Sequence, residues 1–230
     1  MSGDATRTAS DTGAQGDLRR GLDEIRAGFN ERASDEIKTL YDWGVEQVER
    51  SGVLERAVGE GDAAPAFELE HATGERVSLS GLLARGPVVL VWYRGGWCPY
   101  CNLTLRAYQQ RLDEIGSLGA TLVAITPEVP DRSLSTAEKN RLGYRVLSDP
   151  GNVVARAFGL VFELPGEIHE QYQGAFDLHG FNGDESGELP LAATHVIAPD
   201  GRVSWAFLSA DYRERAEPAD VIAALRNLRA

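Results

Sequence analysis

Val88-Val-Leu-Val-Trp-Tyr-Arg-Gly-Gly-Trp-Cys-Pro-Tyr-Cys101 runs from an apolar segment straight into a pair of cysteines. Introduced by Gly86-Pro87, the run Val88–Tyr93 suits a strand buried on both faces of a sheet, because no polar residue interrupts it. Beyond the cysteines, Cys101, Leu105, Tyr108, Leu112 and Ile115 recur at helical spacing up to Gly116. The cysteines therefore stand where a strand hands over to a helix, the usual place for ligand chemistry in an open α/β sheet. Pro99 suits the first helical position, which makes Cys98 the N-cap and puts Cys101 in the first turn. The unpaired N–H groups of a helix start stabilise a thiolate, and Arg94 is a nearby cation that adds to the effect.

Outward from this junction the pattern alternates. Thr121–Ile125 reads as a second buried strand and is followed by a helix in which Ser135-Thr-Ala-Glu138 has the form of a capping box. Arg145–Ser148 is a short strand, Asp149-Pro-Gly a turn, and Val153, Val154 and Phe158 mark a brief helix. Residues 160 to 190 read as a long irregular segment, of the kind used for lids or subunit contacts, with Tyr172 and Phe176 as packing residues or as the lining of a pocket or interface. Thr194–Ala198 and Arg202–Leu208 form a hairpin across Pro199-Asp200-Gly201, with His195 a structural histidine, and a last helix starts at Glu217-Pro218. Upstream, Phe67, Leu69, Val77 and Leu79 alternate as in a hairpin. Such an order implies one α/β domain over residues 59–230, a central mixed sheet flanked by helices.

Before that domain, Leu22, Ile25 and Phe29, then Ile37, Leu40, Tyr41, Val45 and Val48, mark two amphipathic helices in an N-terminal helical arm over residues 18–58. The arm must pack on the body or on a second subunit, which makes a homodimer plausible. Residues 1–17 are small and polar and read as a flexible tail.

Composition narrows the function. Asp and Glu number 35 against 23 Lys and Arg, a net charge of −12, which argues against nucleic-acid binding. Only Lys38 and Lys139 are lysines, so nearly every positive charge is an arginine. No stretch approaches a membrane span and no secretory signal is visible, so a cytoplasmic setting and reduced thiols are the expectation. There, two cysteines in one Cys-x-x-Cys read as redox-active or metal-binding. Structural zinc wants four ligands, and His71, His169, His179 and His195 show no tight ligand spacing, so no metal and no cofactor is expected. Two intervening residues let one sulfur resolve a mixed disulfide or sulfenic acid on the other. Trp97 and Tyr100 flank the pair as packing residues or as walls of a substrate site.

At this motif the sequence resembles the thioredoxin-like superfamily. Trp-Cys-x-x-Cys after an apolar strand is similar to thioredoxin, and Cys-Pro-Tyr-Cys to glutaredoxin. Over about 170 residues from Gly61 to Leu228 the chain resembles the peroxiredoxin-like branch of the alkyl hydroperoxide reductase and thiol-specific antioxidant family. The resembling stretches are Gly61–Leu69, Val88–Cys101, Leu147-Ser-Asp-Pro150 and Val196–Gly201. The resemblance implies a peroxiredoxin-type thioredoxin-like fold and a peroxidase that reduces hydrogen peroxide or organic hydroperoxides. A thioredoxin- or glutaredoxin/glutathione-type reductant would then restore the dithiol. Aligned on Cys101, the family's Pro-x-x-x-Thr-x-x-Cys signature has Arg94 at its Pro position and Cys98 at its Thr position, implying Cys101 as the peroxidatic thiol and Cys98 as its resolving partner. Thioredoxin logic reverses these roles and makes the protein a thiol–disulfide oxidoreductase, while unreactive thiols would make it a redox-sensing or inert interaction module. The Arg that peroxiredoxins carry before the strand matching Thr194–Ile197 is absent, Ala192 standing there, so Arg94 is the expected substitute cation.

Overall fold

The computed structural model describes residues 16–71 and 73–228. Three strands, β3 (Val88–Trp92), β4 (Thr121–Thr126) and β5 (Arg145–Ser148), pair in parallel at the centre of a seven-stranded sheet. The hairpin β1 (Glu68–His71) and β2 (Arg76–Ser78) extends one side antiparallel to β5. On the other side β8 (Thr194–Ile197) and β9 (Val203–Phe207) run antiparallel to β3 and to each other, completing the order β2-β1-β5-β4-β3-β8-β9.

The expected double burial of β3 is what its side chains do. Val88, Leu90 and Trp92 enter one apolar cluster, while Val89, Val91 and Tyr93 enter the other, which also holds both cysteines. On the cysteine side lie α5 (Pro99–Gln110), α6 (Leu112–Ser117) and α11 (Pro218–Asn227). The helix expected to run unbroken to Gly116 is divided at Arg111, whose N–H bonds Tyr108 O three residues back at 3.1 Å and tightens the turn. A second difference concerns α7 (Pro130–Asn140), where Ser135 and Glu138 lie inside the helix and form no capping box. Pro130 sets the start, because its fixed φ and missing N–H suit the first position.

The largest departure is the segment 160 to 190, which is ordered. The 3₁₀ turn Pro150–Asn152 and α8 (Val153–Ala157) lead to β6 (Val161–Glu163), α9 (Gly166–Phe176), α10 (Leu178–Asn182) and β7 (Glu188–Pro190). Gly166 and Gly174 dilute the helical signal of α9, and β6 and β7 are three-residue strands that pair only with each other across a long separation. Ile168, Tyr172 and Leu178 anchor the segment in the core.

The arm consists of α1 (Asp17–Arg32), α2 (Asp35–Arg50, capped by Ser34 Oγ on Ile37 N at 3.4 Å) and α3 (Val53–Arg56). Of the tail expected over residues 1–17, residues 1–15 lie outside the described residues, and Asp17 already opens α1. The arm straddles the sheet. Leu18 and Leu22 join the cysteine-side cluster, whereas Val48 and Val53 join the opposite one with α4 (Leu79–Leu83), α8 and α9. Both segments that suggested a homodimer pack on their own chain.

Candidate active site

Pro99 at the first helical position makes Cys98 the N-cap of α5 and sets Cys101 in the first turn, as the spacing predicts. Both thiols are free, with Cys101 at 0% and Cys98 at 2% exposure. The turn before them is braced. Cys98 N donates to Gly95 O at 3.1 Å, and Asn102 Nδ2 donates to Gly96 O at 2.7 Å and Cys98 O at 2.9 Å. Asn102 is in turn held by Asn140 Nδ2 at 2.7 Å. A Cβ on Gly95 would run into the Trp97 indole and one on Gly96 into Thr136 Oγ1, so only glycines let the strand turn into the helix here.

The two sulfurs are electrostatically unequal. Burial opposes ionisation of Cys101, but a hydrogen bond from the Cys98 thiol, the charges of Arg215 and Arg94 and the Arg94 backbone N–H hold its thiol well below the usual range. Burial, together with the hydrogen bond to Cys101 and that sulfur's charge, pushes the Cys98 thiol well up. Arg215 Nη2 lies 3.5 Å from Cys101 Sγ, while Arg215 Nη1 is fastened to the carbonyls of Tyr212 and Glu214. A second arginine therefore reaches Cys101 from the loop ahead of α11.

Arg94 is 2% exposed and sits in an aromatic cage, its guanidinium carbon 4.5 Å from the Tyr212 ring centroid and 5.1 Å from those of Trp97 and Tyr172. Its Nη2 donates to Tyr172 Oη at 2.8 Å, but Nε and Nη1 have no partner among the described residues. A cavity of about 20 Å³ adjoins it between α2 and α9, room for one water-sized group.

A family model for the AhpC/TSA family matches residues 60–206, more than half of the chain. The chain belongs to the AhpC/TSA family. Peroxiredoxin Q of Gentiana triflora chloroplasts is 29% identical over 123 residues, 54% of this chain and 56% of that protein. The corresponding Populus jackii protein gives the same identity and is covered over 57% of its length, so the chain spans little more than half of these curated relatives. Among solved structures, peroxidoxin BcpB from Mycobacterium tuberculosis superposes with a TM-score of 0.60 at 26% identity, covering 75% of this chain and 99% of that one. Xanthomonas campestris peroxiredoxin Q gives 0.55 at 19%, covering 76% and 97%. The expected thioredoxin-like, peroxiredoxin-type fold is the fold observed.

In this AhpC/TSA member the structure brings Cys98, Cys101, Arg94, Trp97 and Tyr100 together. Trp97 stacks on Phe176 with centroids 5.2 Å apart, and Tyr100 meets Tyr212 edge-on at 5.6 Å. Tyr172, which the sequence leaves between packing and pocket lining, binds Arg94 directly. His195 is the structural histidine expected: Nδ1 accepts from Trp92 Nε1 at 3.1 Å, Nε2 bonds Val58 O at 2.9 Å, and burial lowers its pKa to about 4.

Three neighbours of the thiols were missed from sequence: Asn102, Arg215 and Glu128. Arg215 is 114 residues from the cysteine it touches and carries no local signal. Glu128 had one, since it follows β4, whose carboxyl end lies beside that of β3 where the cysteine turn begins. It is 0% exposed and accepts from Tyr93 Oη at 2.8 Å, Gly96 N at 3.0 Å and Thr136 Oγ1 at 3.3 Å.

Proposed function

We propose that the protein is a thiol-dependent peroxidase in which Cys101 attacks and Cys98 resolves. The observation that carries this reading is the asymmetry at the sulfurs: Arg215, a backbone N–H and a thiol all donate toward Cys101, whereas Cys98 feels the charges of Arg94 and Arg215 but receives no such hydrogen bond among the described residues. The Cys101 thiolate attacks the terminal oxygen of hydrogen peroxide or an organic hydroperoxide, an S–O bond forms, the O–O bond breaks, and alkoxide or hydroxide leaves as alcohol or water. The Cys98 thiol then attacks the sulfenic sulfur, an S–S bond forms, and water departs. Arg94, Trp97 and Tyr100 wall the peroxide site, the unpartnered Nε and Nη1 of Arg94 offering donors to the charge that develops on the leaving oxygen. A thioredoxin- or glutathione-type thiol restores the dithiol.

Stopped-flow oxidation of the reduced protein by peroxide tests the assignment on wild type, Cys98→Ser and Cys101→Ser. Rapid oxidation abolished only in Cys101→Ser is expected. Sluggish reaction in all three, with brisk disulfide exchange that disappears in Cys98→Ser, would instead make the protein a thiol–disulfide oxidoreductase.

A further inference from the structure

We propose that the arginine-lined cavity between α1 and the loop ahead of α11 binds the carboxylates of a small, peptide-like thiol that reduces the Cys98–Cys101 disulfide. The assignment rests on the peroxidase reading, whose cycle needs a reductant, and names the chemical class of that reductant.

The two arginines nearest in effect to Cys101 line different cavities. Arg94 borders the one of about 20 Å³ between α2 and α9, whose other walls are mainly apolar, Val45, Val48 and Ile168 among them. Arg215 borders a second cavity of about 250 Å³, together with Arg19, Leu22 and Arg26 of α1, Phe207 of β9 and Arg213. Leu22 belongs to the apolar cluster that holds both cysteines, and Arg215 Nη2 lies 3.5 Å from Cys101 Sγ. The larger cavity thus reaches the attacking sulfur through a single side chain. A peroxidase cycle has two substrates. The small cavity matches a peroxide group, and the larger, cationic one matches a longer anionic co-substrate.

Four arginines around one cavity reverse the sign of a chain whose net charge is −12. Arg213 is already held, by Asp211 at 2.7 Å and Asp42 at 2.6 Å. Arg19 and Arg26 are exposed and have no ion-pair partner among the described residues. Seven residues apart on one helix, they share a face about 10 Å from end to end. That spacing suits two carboxylates at the ends of one extended molecule rather than a single anion. Asp23 and Glu214 also line the cavity, and Glu214 accepts from Ser209 Oγ at 2.8 Å. Asp23, between the two arginines, favours a ligand that carries an ammonium as well. A hollow walled by α1, β9 and a loop admits a narrow ligand and not a flat protein face.

The exchange balances with two equivalents of such a thiol. The first, as thiolate, attacks the Cys98 sulfur; a mixed disulfide forms, the Cys98–Cys101 bond breaks, and the electron pair leaves on Cys101, where Arg215 stabilises it. The second attacks the ligand's sulfur, its proton passes to Cys98, and the ligand departs as its own disulfide.

The test uses glutathione, which has two carboxylates and an ammonium, against its diethyl ester, which has the same thiol and no carboxylate. Protein oxidised to the disulfide with diamide is reduced by each, and each rate is divided by that of the same thiol with a small-molecule disulfide. Wild type is expected to favour glutathione roughly tenfold, as two charge-assisted contacts would give. An Arg19→Gln, Arg26→Gln double variant should bring the two thiols to parity. Arg20→Gln should keep the preference, because Arg20 pairs with Asp17 and does not line the cavity. Parity in wild type, or a preference that survives the double substitution, overturns the proposal. So does inactivity of both thiols, whether or not a protein dithiol reduces the disulfide. If the double variant does not fold, ionic strength decides in wild type: a preference that collapses as salt rises supports the proposal, and one that persists rejects it. The disulfide is made without peroxide, so failure of peroxide to oxidise Cys101 rejects the peroxidase reading alone.

Discussion

Cys101 owes its low pKa first to the Cys98 thiol three residues away, and then to Arg215, which no short window of sequence contains, and to Arg94. Arg215 is the stronger of the two cationic influences and Arg94 the weaker, and Arg94 also acts through a backbone N–H that survives substitution of its side chain. Arg215→Ala is therefore expected to raise the pH at which Cys101 ionises, and Arg94→Ala to raise it by less. Thiolate absorbance titrated against pH measures both, and an unmoved midpoint in Arg215→Ala would remove that arginine from the site. Peroxide reactivity below the shifted midpoint should fall about tenfold per unit, in step with the thiolate fraction. The cysteines, their spacing and the nearness of Arg94 were legible from the residues alone because they lie within eight consecutive residues. Arg215 and Glu128 were not, because only the folded sheet brings their loops to α5.

At the scale of elements, β3 and β8 are locked by a buried imidazole. His195 on β8 bonds Trp92 on β3 and the Val58 carbonyl at the end of the arm, and it is held neutral with a pKa of about 4. Its ordinary value is 6.5, so between about pH 6.5 and 4 the unfolded chain binds a proton that the folded one refuses. Stability should be fully present above that window and fall by roughly 3 kcal/mol as pH drops through it. Buried Glu128 and Asp149 have raised pKa values and contribute the opposite slope, so the check is the difference between wild type and His195→Gln in urea unfolding across pH. Equal slopes would reject it. The glycine pair before the cysteines gives a second expectation: Gly96→Ala must displace Thr136 and disturb the N–H bond to Glu128, slowing Cys101 oxidation at least tenfold while the sheet, judged by far-UV circular dichroism, remains. The regular strands and helices were readable because each repeats its own period. The segment 160 to 190 was not, since β6 and β7 exist only through pairing with each other.

At the scale of the whole molecule, the arm ties the two faces of the sheet into one unit, with Leu22 on the cysteine side and Val48 on the other. Unfolding should then be a single transition in which tryptophan fluorescence, spread over Trp43, Trp92, Trp97 and Trp205, coincides with thiol exposure. Separate midpoints would show that the arm opens by itself. Leu22→Ala should lower the common midpoint, costing about 2–4 kcal/mol by urea titration.

Periodicity and local chemistry were enough for the strand–helix junction, the α/β order, the two arm helices and the dithiol at a helix start, because each depends on neighbours within a few residues. Only the tertiary structure distinguished the two cysteines. Their inequality comes from the direction of the hydrogen bond between them, from Arg94 just after β3 and from Arg215 on the loop before α11, and Coulomb interactions depend on distance in space rather than along the chain.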